Sequence, residues 1–375
     1  MSARRRVVLV GAGHAHVEVL RRWARTPPED AELLLVVDRN PAVYSGMVPG
    51  LVAGHYRRAE LEIDGAALAR RAGGRVLLEP ARRVWAEKRV VITASDIEIP
   101  FDWASLDVGS TVRGLDLPGV ARNAIPARPI DGLIGRIPHL VAAARNASSR
   151  SPFRLAVVGA GAGGVELALC FQARLRREAA RPVEIRLVDA RDRPLEGAPE
   201  SLRRRVERIL ARRGVAWLGG RRVTGLEGLE GGSLRLDDGG LVTGDAVVWV
   251  PGPAAPAFLA ESDLPVDARG FVRIGPTLQV EGLERVFAAG DCASLPGMPK
   301  AGVYAVRSGP ILAANLRRAL GGRPLRPYTP QSDFLSLLNL GDGTAVGSKW
   351  GIAFEGRWVM RLKDRIDRRF VERYR

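Results

Sequence analysis

The chain has 375 residues, 46% of them apolar and 26% charged, which is enough for two or three domains with buried cores and excludes a disordered protein. Its 43 glycines and 25 prolines are spread along the chain rather than gathered in a repeat, and two cysteines, Cys170 and Cys292, can build neither a disulfide scaffold nor a zinc site. The net charge of +16 comes almost wholly from arginine, with Lys88, Lys300, Lys349 and Lys363 as the lysines, and reads as a solvated surface rather than a nucleic-acid footprint.

Arg4-Arg5-Arg6 imitates an export signal, but the apolar run after it stops at Gly11 and no stretch of eighteen uncharged apolar residues follows. The expectation is a cytoplasmic protein with at most peripheral membrane contact, on the inner face of the cell membrane. Residues 7–10 form a β-branched run suited to a buried strand, Gly11-Ala12-Gly13 a turn, Val17, Leu20 and Trp23 a helical face, and 33–37 a second strand ending at Asp38. That order is a βαβ unit. Period-two runs at 84–86, 90–93 and 97–99 predict a small antiparallel meander feeding a strand at 106–108, and prolines and glycines through Pro129 mark a crossing between domains. The grammar then repeats. A strand at 155–158 leads into Gly159-Ala160-Gly161-Ala162-Gly163-Gly164, a helix carries Val165, Leu167, Ala168 and Phe171, and a strand at 185–188 ends at Asp189. Leu202, Val206, Ile209 and Leu210 predict an amphipathic surface helix closed by Gly214. Buried strands at 247–250 and 286–289 run into Pro251-Gly252-Pro253 and Gly290-Asp291, and a hairpin around Asp342-Gly343 precedes a basic helix.

A dinucleotide diphosphate needs backbone N–H donors, and a glycine turn at a helix N-terminus supplies them. Gly11 and Gly13 fit that need, and Asp38, 22 residues beyond His16, stands where a carboxylate accepts the ribose hydroxyls. His16 departs from the pattern, since a third glycine normally occupies its place. The second loop fits throughout at Gly159, Gly161 and Gly164, with Asp189 25 residues on. Two such fingerprints predict two bound dinucleotides, FAD and a nicotinamide. Asp189 favours NADH over NADPH, while Arg191 and Arg193 stand close enough to accommodate a 2′-phosphate.

The ordered segments GAGHAH, VVDRN, SLDVGS, VVGAGAGGVELA, DAVVWVPG and VFAAGDCA resemble the two-dinucleotide flavoproteins of the pyridine nucleotide-disulfide oxidoreductase superfamily over about residues 4–327. Within it, 38–40 and 164–168 are similar to type II NADH:quinone dehydrogenases, and 299–303 to sulfide:quinone oxidoreductases. GHAHV, YSGMVPGLVAGHY, PKAGVYAVR and the tail resemble the oxidoreductase module fused in some proteins ahead of selenide, water dikinase. The resemblance implies an α/β fold with two Rossmann-like domains, the NAD(P)H-binding one (121–255) inserted into the FAD-binding one (1–120 and 256–327), followed by a C-terminal hairpin and basic helix (328–375). It implies that Gly11, Gly13, His14, Asp38, Arg39, Gly109, Gly290 and Asp291 contact FAD. Lys300 and Ala301 would lie at the pyrimidine edge, where a cation stabilises a reduced flavin. Gly159, Gly161, Gly164, Asp189 and Gly252 would hold NADH, with Glu166 near the nicotinamide. Dithiol members pass electrons through a cysteine pair. Cys170 and Cys292 have no neighbouring thiol in sequence and read as small apolar residues, which argues against disulfide reduction and sulfide oxidation.

His14 and His16 lack further ligands nearby, so no metal is expected. At a helix N-terminus His14 stays neutral and serves either as a proton donor to the acceptor or as a packing residue; Tyr44 and Ser45 are further candidates beside the flavin. Trp358, Leu362, Ile366, Phe370 and Tyr374 recur every four residues, forming one apolar stripe, in a tail that carries eight basic and three acidic residues from 357 onward. That helix either lies on an anionic membrane within reach of a quinone, or packs on its own core or on a second subunit in a homodimer. The expected activity is transfer of electrons from NAD(P)H through FAD to a small acceptor, with catalytic roles for Glu166, Lys300 and His14. Quinone is the first acceptor and a selenium-containing or other small electrophile the second. A non-catalytic module that responds to FAD and NADH is the alternative from another class.

Overall fold

The computed structural model describes residues 4–146, 151–228 and 232–375. Strand β1 (Arg5–Val10) leads through helix α1 (His14–Arg25) to β2 (Ala31–Val37), which pairs with β1 in parallel from Arg5↔Ala31 to Val10↔Val36. β3 (Arg75–Leu78) extends the sheet beyond β2, whereas β4 (Trp103–Leu106) returns to the other side of β1. Residues 7–10 are buried because elements cover both sheet faces, which is why this strand reads as a continuous apolar run rather than an alternating one.

The second sheet repeats the plan. β5 (Ile125–Pro126), β6 (Phe153–Val158), β7 (Val183–Val188), β8 (Ala216–Leu218) and β9 (Ala246–Trp249) lie in the order β5-β9-β6-β7-β8, all parallel, with helix α2 (Ala162–Glu178) following β6. The chain then returns to the first sheet, where β10 (Leu283–Ala288) pairs with β4. In each sheet the strand order reverses beside the strand that feeds the glycine loop, so the carboxyl ends diverge there and leave a crevice. Thr111–Val112 pairs antiparallel with Pro253–Ala254, so the outward and returning chain segments are bonded to each other where they cross between sheets.

Helix α3 (Gly302–Leu320) lies on α1, and the approach is close enough that a Cβ at Gly309 would come within 2.9 Å of the Glu18 Cβ. The expected hairpin is a three-stranded sheet, Ser336–Asn339, Ala345–Lys349 and Ile352–Gly356, followed by helix α4 (Arg357–Glu372).

Two local expectations need correction. The strand expected at 106–108 ends at Leu106, because Asp107 leaves the sheet to meet the Gly11 turn. The four-residue stripe on α4 is not one face. Each four-residue step advances about 40° beyond a full turn, so the series winds around the helix. Phe370 and Tyr374 are buried, while Trp358 and Ile366 are 54% and 43% exposed.

His16 occupies the position where a third glycine usually lets the helix approach its strand, and the structure accommodates it through hydrogen bonds. Its Nδ1 stands 2.6 Å from the Gly11 carbonyl, which only accepts, so Nδ1 carries the proton and Nε2 accepts from the Ser105 hydroxyl at 2.8 Å. Burial pulls the imidazole down to about 4, so it is neutral at pH 7. His16→Ala, or His16→Gly despite restoring the usual residue, is expected to lower stability by about 2–4 kcal/mol, since it opens a cavity and strands a buried hydroxyl. Denaturant unfolding checks this, and an unchanged midpoint would refute it.

Candidate functional site

A cavity of about 460 Å³ opens at the carboxyl ends of β1, β2 and β4. Gly11, Gly13, His14, Asp38, Arg39, Gly109 and Asp291, seven of the residues singled out in the sequence, line it together. Gly11 has φ of +89°, and a Cβ there would lie 2.4 Å from the Asp107 carbonyl, so both backbone conformation and space demand glycine. At the far end Arg39 donates through Nε to Asp38 at 2.9 Å and through Nη1 to Asp131 at 3.1 Å. Arg128 pairs with Asp291 at 2.7 Å on the inner wall and also donates to Ser110.

His14 meets the edge of Tyr44 at 5.4 Å between centroids, and Phe370 from α4 stacks on Tyr44 at 4.4 Å. Burial pulls the His14 imidazole down to about 4. Lys300 and Ala301 do not line the cavity. The Lys300 ammonium donates to the Ala293 carbonyl and stands 3.9 Å over the Phe271 ring, and burial lowers its pKa. The first turn of α3, through Gly302 and Ala305, forms that wall instead.

Asp107 is a participant the sequence reading missed. It is 2% exposed, and its Oδ2 accepts from the backbone N–H of Ala15 at 2.8 Å and of His16 at 3.0 Å, capping α1. Burial pushes this carboxyl up to about 7 against those two donors, with Asp291 adding to the rise. The signal available in sequence was a carboxylate directly after a buried strand.

The second glycine loop is built as closely as the first. A Cβ at Gly159 would lie 2.4 Å from the Val250 carbonyl and one at Gly164 only 1.7 Å from the Gly159 carbonyl, whereas one at Gly161 meets nothing within 4 Å. Gly161 therefore keeps open a space that the protein itself does not fill, as a diphosphate cradle requires. Asp189 accepts from the N–H of Ala160 at 2.6 Å and of Arg191 at 2.9 Å. Arg191 pairs with Glu196, and Arg193 with Glu200 at 3.1 Å and Glu207 at 2.6 Å. Gly252 follows β9 with φ of +121°, beside Arg113.

A third group of side chains comes from three distant segments. Glu166 on α2 accepts from the Asn339 N–H at 2.7 Å, and burial pushes it up to about 7 despite the pull of Lys363. Lys363 on α4 donates to the Gly46 carbonyl at 2.8 Å and to Asp367 at 2.9 Å, and Tyr44 donates to Asp367 at 3.2 Å. Burial alone would lower the Lys363 pKa, but Glu166 and Asp367 outweigh it and hold it raised. Lys363 and Asp367 escaped the sequence reading because an i, i+4 charge pair usually marks a solvated face. Cys170 and Cys292 are both buried and free, and burial raises both thiols, Cys292 to about 12.

Residues 5–309 match the family described as Pyridine nucleotide-disulphide oxidoreductase. The chain belongs to that family. It is 26% identical over 332 residues to the NADH dehydrogenase-like protein YutJ of Bacillus subtilis (strain 168), covering 87% of each chain. It is 25% identical over 393 residues to demethylphylloquinone reductase NdbB of Synechocystis, covering all of this chain and 92% of the relative. Among solved structures, the sulfide:quinone oxidoreductase of Aquifex aeolicus superposes with a TM-score of 0.82 at 18% identity, covering 99% of this chain and 91% of that one. NDH2 of Plasmodium falciparum, in complex with NADH, superposes with a TM-score of 0.78 at 12% identity, covering 98% of each chain. This family member is an FAD-dependent NAD(P)H oxidoreductase of α/β fold with Rossmann-like domains. The Gly11 turn with its lined cavity and the open space at Gly161 fit the two dinucleotides.

The glycines separate fit from folding. Gly161→Ala is expected to leave thermal stability unchanged while weakening NAD(P)H binding at least about tenfold, because its methyl meets no protein atom within 4 Å and enters only the open space at the loop. Gly164→Ala is expected to destabilise the protein by about 3 kcal/mol or more, because its methyl collides with backbone. Melting curves and NADH titration of both variants check the contrast, which fails if Gly161→Ala binds NADH normally.

Proposed function

We propose that this oxidoreductase takes electrons from NADH in preference to NADPH and delivers them to a quinone-like acceptor. Bound FAD supplies the hydride acceptor and the electron relay; the chain's own residues bind, orient and move protons. The observation that carries the acceptor assignment is the enclosed set Glu166, Lys363, Asp367 and Tyr44. Reduction of a quinone consumes protons; Lys363 and Asp367 of α4 are hydrogen-bonded in series to Tyr44 on the cavity wall, and Glu166 of α2, held up to about 7, lies within the field of Lys363. Neutral His14 lies against the same Tyr44 ring and can donate one hydrogen bond into the cavity. The first turn of α3, with Lys300 behind it, supplies the positive potential that favours a reduced flavin. With no thiol pair in the chain, a disulfide route is not available. The names of NdbB, a demethylphylloquinone reductase, and of the NADH dehydrogenase-like YutJ support the same reading. The donor preference rests on Asp189, and both arginines that would offset it are engaged in ion pairs.

Anaerobic titration followed by a quinone screen tests the proposal. NADH is expected to bleach the flavin band far faster than NADPH, and a soluble quinone is expected to restore it with steady turnover. Glu166→Gln is expected to slow quinone turnover about a hundredfold with bleaching by NADH nearly unchanged, since it removes a proton donor and not the nicotinamide loop. An unbleached spectrum overturns the reductase reading. Slow bleaching without turnover favours a binding module, and a selenium-containing electrophile belongs in the same screen because of the GHAHV and PKAGVYAVR resemblance.

Peripheral membrane contact is part of this proposal. Trp350, Ile352, Trp358 and Ile366 are 78%, 67%, 54% and 43% exposed on the last hairpin and α4, amid the basic residues of the tail. Among the described residues no helix is long and apolar enough to cross a membrane. Trp350→Ser with Trp358→Ser and Ile366→Ser is expected to lose co-sedimentation with anionic vesicles. Equal binding of variant and parent, or a dimer that dissociates in the variant, would assign the patch elsewhere.

A further inference from the structure

The turn assigned to the FAD diphosphate already carries an acid of the chain's own. Asp107 accepts from the N–H groups of Ala15 and His16, which belong to the free donors in the first turn of α1. That turn is also where a dinucleotide diphosphate draws its stabilisation. The surroundings are shaped around the carboxyl, since a Cβ at Gly13 or at Gly290 would lie 2.3 Å from Asp107 Oδ1. Among the described residues no arginine or lysine pairs with it, and Arg128, the cation on this wall, is held by Asp291 at 2.7 Å.

One anion at a helix N-terminus is stabilised, but two anions in the same enclosed space repel each other. We propose that Asp107 is a positioning residue that caps α1 as a carboxylate while the flavin site is free, and takes up one proton as FAD binds. The proton comes from solvent and forms one O–H bond on the carboxyl, and no electron moves. The protonated acid keeps an oxygen that accepts from Ala15 and His16, so the cap survives while the negative charge is given up to the diphosphate. Flavin affinity is thereby linked to pH: it is highest at low pH and falls as pH rises, because the bound state holds one more proton than the free state. The inference rests on the assignment of FAD to this cavity.

The groups facing Asp107 leave the linkage readable. From α1 come His14 and His16, both pulled down to about 4 by burial. From the turn Gly290–Cys292 come Asp291, paired with Arg128, and Cys292, pushed up to about 12. The adjoining end of β1, Leu9 and Val10, brings no titratable side chain, and α3 approaches Gly290 with Ala305. Neither imidazole nor the thiol titrates between pH 6 and 9, which leaves Asp107.

The test is dilution of the holoprotein at constant ionic strength from pH 6 to 9, with released FAD read by its fluorescence. The dissociation constant is expected to rise up to about tenfold per pH unit above neutrality. Asp107→Asn is expected to flatten that profile and to hold FAD at least about tenfold more tightly than the parent at pH 8.5, whereas a residue of merely structural importance would weaken binding equally at every pH. Asp107→Ser, smaller and without a titratable carboxyl, is the second variant if the amide does not fold. A flat parent profile with tight binding overturns the proposal alone, as does a parent slope retained in either Asp107 variant. Failure to bind FAD at any pH overturns both this proposal and the cofactor assignment beneath it.

Discussion

Two backbone carbonyls set the distances on which this molecule depends. The Asp107 carbonyl meets the Gly11 turn and the Val250 carbonyl meets the Gly159 turn, each so closely that a side chain on the glycine would fall 2.4 Å from the oxygen. Because the turns close against the neighbouring strand ends, α1 and α2 begin directly over the two crevices between diverging strands, α1 with the N–H groups of Ala15 and His16 already taken by Asp107. The two crevices are thus a property of the backbone, and the side chains refine them.

Much of this was legible in the sequence because it is local. A β-branched run, a glycine turn, a helical face and a second run ending in aspartate are read within about thirty residues, and both units came out with the strands and helices expected of them. What escaped was tertiary. Asp107 looks like the interior of a strand until the Gly11 turn is placed beside it. Lys363 and Asp367 look like a surface pair until α4 is laid against Gly46 and Glu166. The periodic stripe on α4 misled because a four-residue repeat drifts around a helix of 3.6 residues per turn, so equal spacing was mistaken for a shared face. Lys300 shows the reverse error, since a rare lysine at a plausible position turned toward Phe271 and left the wall to a helix end.

The enclosed charges tell function apart from stability. A carboxylate and an ammonium taken out of water lose hydration that their mutual attraction only partly restores, so Lys363 and Asp367 are a weak source of folding free energy. An apolar pair of similar volume would serve α4 as well. The fold instead keeps an ammonium and a carboxyl on α4 hydrogen-bonded to each other and to the phenol beside the first glycine loop, with a carboxyl on α2 near enough to feel the ammonium's charge, an arrangement that packing alone does not require.

The antiparallel contact of Thr111–Val112 with Pro253–Ala254 bears on how the chain is made. β4 leaves the ribosome with one edge bare, and the strand that covers it begins only at residue 283, roughly 10–35 s later at ordinary rates of synthesis. A bare parallel edge invites pairing with another nascent chain. The middle sheet, complete by Trp249, can form during that interval, and the bonding of its two connecting segments draws Val286 back beside Ala104. The inserted unit therefore serves the outer one as a clasp, shortening the loop that the first sheet must close to finish folding.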